Sequence, residues 1–184
     1  VDHVAPYLLL SYYTGLRPGD ITGLTWIHVQ DGRRTIRKII EKTAHKLTKG
    51  RKKDKAVQAF PLASQAAEVL TVWWEQCGRP DKGYVFPSHR KPGERMDKNA
   101  MQKPWARVKA LGGLRENLHL YALRHNFASQ LIGAGVDLLT VSRLMGHADI
   151  QTTVDHYGHL LPNKAQSAVD SFASRTAHAL GCEQ

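Results

Sequence analysis

Apolar residues crowd the first helical pattern, from Asp2 to Tyr13, closely enough to predict a helix packed in a core, ended by Thr14-Gly15 and a tight turn at Pro18-Gly19. A second short helix is expected after Asp20. Trp26 to Val29, Thr35 to Ile40 and Ala56 to Leu62 then have strand character, separated by Asp31-Gly32 and by a long basic loop, which predicts a small three-stranded antiparallel sheet. Helical periodicity returns at Ala63 to Gln76, where Trp73 and Trp74 read as core packing. Gly83 to Ser88 is long enough only for an edge strand, and the turn-rich stretch through Glu94 belongs on the surface. Further helices are predicted at Asn99 to Leu111, Tyr121 to Ala134, Leu138 to Met145 and Ile150 to Tyr157, with Gly135, Gly146 and Gly158 as C-caps and Asp137 and Asp149 as N-caps. From Lys164 to Leu180, Ala168, Val169, Phe172, Ala173, Ala177 and Leu180 share one face, the pattern of an amphipathic helix that docks on something, such as a neighbouring protomer. The fold class is α+β: mainly a helical bundle, with a small three-stranded antiparallel sheet in the N-terminal third. No internal repeat interrupts it.

Length adds that 184 residues bury a real core as one globular unit. Charge changes the picture more, because 26 Lys+Arg against 16 Asp+Glu, a formal +10, draws in an acidic polymer, nucleic acid ahead of an anionic membrane. Cys77 and Cys182 build neither a disulfide framework nor a metal-ligand pair, which fits a reducing cytosol. The apolar run from Val4 to Tyr13 is too short for a bilayer and carries no basic leader, so it reads as a buried helix. Val1 stands where a Met would open a chain, so the expectation is a fragment.

The basic loop is the densest feature. Between Arg33 and Lys55 eleven Lys or Arg face only Glu41 and Asp54, and such like charges repel unless a polyanion neutralises them. Residues 119–126 read HLYALRHN and raise the question of which polar side chain works beside Arg124. On a helix a residue three back lies on nearly the same face, whereas one five back is rotated about 140° away, so Tyr121 is favoured over His119. His147 and Tyr157 end neighbouring helices that can converge on one pocket.

Four stretches carry a family resemblance: Thr14-Gly15-Leu16-Arg17-Pro18-Gly19-Asp20, Leu123-Arg124-His125-Asn126-Phe127-Ala128, Leu144-Met145-Gly146-His147, and Thr152-Thr153-Val154-Asp155-His156-Tyr157-Gly158-His159. In that order and spacing, from Val4 to about Leu161, the chain resembles the tyrosine recombinases, or phage-type integrases. The resemblance implies a catalytic domain over 1–162, a C-terminal tail helix over 163–184 that docks in trans, and an N-terminal DNA-clamping domain outside this chain. It implies a site-specific recombinase that cleaves and rejoins double-stranded DNA through a covalent 3′-phosphotyrosyl link. Arg17 matches the first arginine, Arg124 the second, His147 the third-box histidine and Tyr157 the nucleophile, and Asp20 matches the acidic support of the first arginine. The family's second-box histidine is Tyr121 here. Its hairpin lysine falls among Lys49, Lys52, Lys53 and Lys55, of which Lys49 in Thr48-Lys49-Gly50 is favoured, and Arg51, Lys52, Lys53, Lys55 and Arg143 are candidate DNA contacts. The resemblance further implies a homotetramer on DNA, accessory DNA-bending proteins as partners, and a cytoplasmic, nucleoid-associated setting.

That chemistry explains the residue types. Attack by a phenol oxygen on a phosphodiester builds negative charge on the non-bridging oxygens, which two guanidiniums meet with forked hydrogen bonds. The link to Tyr157 stores the bond energy for rejoining without ATP. A hairpin lysine protonates the leaving 5′ oxygen, and no metal or cofactor is required. Competing readings are a catalytically weakened recombinase that only binds DNA, a helix-turn-helix regulator built on Gln130 to Arg143 with Gly135 at the turn, and a metal-dependent nuclease using His147, His156 and His159.

Overall fold

The computed structural model describes residues 2–38, 57–161 and 169–174. Lys49, Arg51, Lys52, Lys53 and Lys55, and most of the expected tail helix, lie outside the described residues.

Helix α1 (Val4–Thr14) ends at Gly15, whose φ of 59° is the left-handed conformation that a glycine adopts without a Cβ penalty. Helix α2 (Pro18–Thr22) starts with Pro18 in its first turn, so it begins before Asp20 rather than after it. The sheet order is β1 (Val29–Gln30), β2 (Thr35–Lys38), β3 (Gln58–Pro61), antiparallel throughout, with Val29 opposite Ile36 and Ile36 opposite Phe60. Ile36 and Phe60 point into the core while their neighbours Arg37 and Ala59 are exposed, the period-two pattern of a half-buried sheet. The expected strand from Trp26 is shorter than its composition suggests. Trp26–His28 is a 3-10 turn, because Thr25 presents both its N–H and its hydroxyl to His28 Nδ1, at 3.1 and 2.9 Å.

Helix α3 (Ser64–Gln76) buries Leu70 and Trp73, and Trp73 Nε1 donates to the Val85 carbonyl at 2.8 Å. Trp74 is the partner of cations as well as of the core, with the Arg33 guanidinium 4.4 Å from its ring centroid. Gly83 to Ser88 forms isolated bridges, Thr25 to Tyr84 and Pro87 to Arg95, in place of an edge strand; Pro87 has no N–H to extend a ladder.

Then follow α4 (Gln102–Leu111), α5 (Ala122–Gly133), α6 (Leu138–Leu144) and α7 (Gln151–Tyr157). Gly135 and Gly146 have positive φ, as expected of C-caps, but Gly158 is right-handed at φ −57° and the chain runs on into a 3-10 turn, Gly158–Leu160. Asp137 caps α6 and Asp149 accepts the Gln151 N–H at 2.9 Å. Residues 169–174 are helical, with Val169 and Phe172 exposed.

Among the described residues two apolar clusters result. The larger joins α1, α3, the sheet and α4 through residues such as Leu10, Ile36, Phe86 and Trp105. The smaller joins α5, α6 and α7 through Ala128, Ile132, Val141, Met145 and Tyr157. Among the described residues no helix is long and apolar enough to cross a membrane.

Candidate active site

The end of α6 organises the site. The last carbonyls of a helix lack intrahelical donors and carry partial negative charge, so they attract cations. Here the Met145 carbonyl accepts from Arg124 Nη2 at 2.6 Å, and the next carbonyl, Gly146, accepts from Arg17 Nη1 at 3.1 Å. Arg124 Nη1 donates to the Gly15 carbonyl at the end of α1. One guanidinium therefore ties two helix ends together, and the second sits beside it. Arg17 is delivered by the extended residue just before α2, at φ −68° and ψ 150°. Arg124 reaches inward from the first turn of α5 and is only 2% exposed.

Burial lowers the Arg124 guanidinium to about 10, the Arg17 cation pushes the same way, and the oxygens of Tyr121 and Tyr157 oppose them. It stays cationic at neutral pH. Each guanidinium has five N–H donors, so the carbonyl bonds leave several on each for an anion, which would also relieve the repulsion between the two cations.

Helix α7 brings the other half. Thr153 and Tyr157 are four residues apart and share its buried face. Thr153 Oγ1 lies 2.7 Å from His147 Nδ1, and the Tyr157 hydroxyl lies 2.8 Å from His125 Nδ1. Burial raises the Tyr157 phenol above its usual range, partly offset by the Arg124 cation. Burial lowers the His125 imidazole, as do His156 and Arg124.

The structure thus brings Arg17, Arg124, His147 and Tyr157 together around the ends of α6 and α7. Tyr121 joins them at the start of α5, with its ring edge-on to His125 at 5.1 Å, while His119 stands exposed in the turn before the helix. Asp20 is buried in α2 beside Lys38 of β2, whose Nζ donates to the Asp20 carbonyl at 2.6 Å and stands 3.9 Å from its carboxylate. Lys38 is itself buried, so β2 is pinned to α2, the helix that Arg17 immediately precedes. Arg143 is exposed on α6.

Sequence reasoning missed His125. The spacing upstream of Arg124 points to Tyr121, and His125, four residues beyond Tyr121, lies on the same helical face. The helix-turn-helix stretch does form two helices, but α6 buries Val141 and Ser142 and spends its C-terminal carbonyls on the arginines. His147, His156 and His159 do not converge: among the described residues no group of three His, Cys, Asp or Glu is placed to hold a metal ion.

A family profile described as the phage integrase family matches residues 3–164. The chain belongs to the phage integrase family. Among relatives of this integrase family member, a tyrosine recombinase XerC of Pseudomonas syringae pv. syringae is 36% identical over 159 residues, 83% of this chain and 46% of the relative. A XerC-like tyrosine recombinase of Caldanaerobacter subterraneus subsp. tengcongensis is 27% identical over 187 residues, 89% of this chain and 47% of the relative. The chain therefore spans about half the length of the curated relatives it matches. In fold it resembles the crystal structure of XerA recombinase, with a TM-score of 0.68 at 20% identity over 93% of this chain and 56% of that one. It also resembles the Tn1549 transposon integrase in complex with transposon right end DNA, with a TM-score of 0.69 at 18% identity over 91% of this chain and 58% of that one.

Proposed function

We propose that this chain is the catalytic portion of a site-specific DNA recombinase that cleaves duplex DNA through a covalent 3′-phosphotyrosyl intermediate and rejoins it. The observation that carries the proposal is the pair of guanidiniums on consecutive carbonyls, Met145 and Gly146, with a buried phenol on the adjoining helix. Relatives named as tyrosine recombinases, and a fold neighbour bound to transposon DNA, support it.

In this reading Arg17 and Arg124 clamp the scissile phosphate and stabilise the charge that builds on its non-bridging oxygens. Tyr157 attacks phosphorus. His147, oriented by Thr153, donates a hydrogen bond to the phosphate, and the Tyr121 hydroxyl donates another. Asp20 and Lys38 hold the turn that presents Arg17. Lys49 in the basic segment protonates the leaving 5′ oxygen, and Arg51, Lys52, Lys53, Lys55 and Arg143 contact the DNA backbone. The tail beyond residue 162 docks on a neighbouring protomer in a tetramer assembled on DNA, in the cytoplasm at the nucleoid, with DNA-bending proteins as accessory partners.

The test is covalent capture. The chain is incubated with a randomised duplex pool bearing nicks that let the cleaved end diffuse away, and protein-linked DNA is recovered under denaturing conditions. The expected result is an adduct on Tyr157 that forms in the presence of chelator and without ATP. Recovery of DNA only under native conditions would make the chain a DNA-binding protein without strand-cleaving activity.

A further inference from the structure

Tyr157 needs a base. At neutral pH a phenol is protonated, and burial makes this one a still weaker acid. Of the groups around it, Arg124 is cationic and Tyr121 is itself a phenol, a poor proton acceptor. His147 Nδ1 is bonded to Thr153. Among the described residues, the imidazole within hydrogen-bond distance of the Tyr157 oxygen is His125, with Nδ1 at 2.8 Å.

We propose that His125 is a catalytic residue, the general base that takes the Tyr157 proton as the phenol oxygen attacks phosphorus. The inference rests on the recombinase reading above. In the step, the Tyr157 Oη–P bond forms, the P–O5′ bond breaks, the phenol proton passes to His125 Nδ1, and the 5′ oxygen takes its proton from the lysine ammonium of the recombinase reading, Lys49. Rejoining runs the transfers backwards. Because the phenol is the weaker acid by roughly three orders of magnitude or more, the proton moves during attack rather than before it.

The surroundings keep His125 ready to accept. Tyr121 and Arg124 face it from its own helix, and His156 and Tyr157 face it from α7, the His156 ring stacked at 6.5 Å between centroids. From α1, α6 and the turn after α7, no titratable group makes a hydrogen bond or ring contact with it among the described residues. Burial and the two neighbouring groups lower its basicity and so favour the neutral imidazole near pH 7; the base role requires the tautomer with Nδ1 unprotonated. His125 as a whole is an exposed residue, so the acquired proton can leave to water.

The experiment uses a duplex captured covalently by the wild-type chain. His125→Asn keeps a polar group of similar reach but cannot take a proton, and adduct formation is expected to fall about 100-fold or more. The wild-type cleavage rate rises with pH through a value below the ordinary histidine range and then levels. That acid limb disappears in His125→Asn. Thermal unfolding of the two proteins should agree, since the side chain is exposed. A loss under fivefold, or an unchanged acid limb, would overturn the proposal while leaving the recombinase reading intact. Failure of the wild-type chain to capture any duplex would sink both. Without DNA, nitrogen NMR of the imidazole should find Nδ1 unprotonated and shifted by Tyr157→Phe; a protonated Nδ1 donating to the phenol oxygen would also overturn it.

Discussion

Arg17 and Arg124 bond main-chain carbonyls at the ends of α1 and α6, whereas His147 and Tyr157 bond side chains, Thr153 and His125 among them. The difference is chemical. A guanidinium never deprotonates in the working pH range and needs only a fixed position, which backbone geometry provides without a second side chain. A phenol and an imidazole can change protonation state, and their partners here are groups that can both donate and accept. The arginine half should therefore resist point changes in its neighbours but not changes in backbone, and the tyrosine half the reverse.

The largest expected effect breaks the tyrosine half at its centre. Tyr157→Phe removes only the oxygen and should lower cleavage by about four orders of magnitude or more while DNA affinity stays within roughly twofold. Denaturing gels for the adduct and native gels for binding measure the two. A covalent adduct formed by this variant would remove Tyr157 from its role.

Next comes Arg124→Lys, which keeps the charge but cannot span the Gly15 and Met145 carbonyls. Cleavage should fall by about 100- to 1,000-fold, with an affinity change smaller than tenfold, because the fork matters most to the charged transition state. Equal losses in binding and rate would mean that Arg124 only anchors phosphate.

The third change strikes the backbone that holds that arginine. At Gly15 φ is 59°, and an added Cβ would overlap the Phe127 ring, with Cγ only 2.9 Å away. Gly15→Ala should destabilise the fold by about 2–4 kcal/mol from left-handed strain and overpacking. At this chain length that lowers Tm by roughly 10 °C. If Tm holds, the contact between the α1 end and α5 is not tight.

The smallest effect sharpens the comparison. Thr153→Val preserves shape and removes one hydroxyl, costing about 1 kcal/mol in stability and about three- to tenfold in cleavage as His147 loses its orienting bond. A far larger rate loss at unchanged stability would move Thr153 from orienting His147 to contacting DNA.

Much of the fold was legible because its signals are local. The helices between Tyr121 and Tyr157 follow from apolar spacing, and the turns at Gly15 and Gly146 from a glycine where the chain must turn left-handed. The strand expected at Trp26 failed for an equally local reason, the competing Thr25–His28 bonds, which composition does not reveal. Lys38, counted among the hairpin charges, proved to be buried against Asp20, because strand register and not charge density decides which lysine faces inward.

By itself, the sequence determined the family and the order of the boxes in which Arg17, Arg124, His147 and Tyr157 stand, since these depend on residue type and spacing along one chain. Only the tertiary structure decided who touches whom. The Gly15 and Met145 carbonyls that hold Arg124 come from segments far apart in sequence, and backbone oxygens are the same in every residue, so no side-chain pattern announces them. His125 beside Tyr157 is a contact across 32 positions, fixed by how α5, α6 and α7 share the cluster of Ala128, Ile132, Met145 and Tyr157. Packing of apolar faces set the distance at which an imidazole meets a phenol, and local periodicity carries no record of that distance.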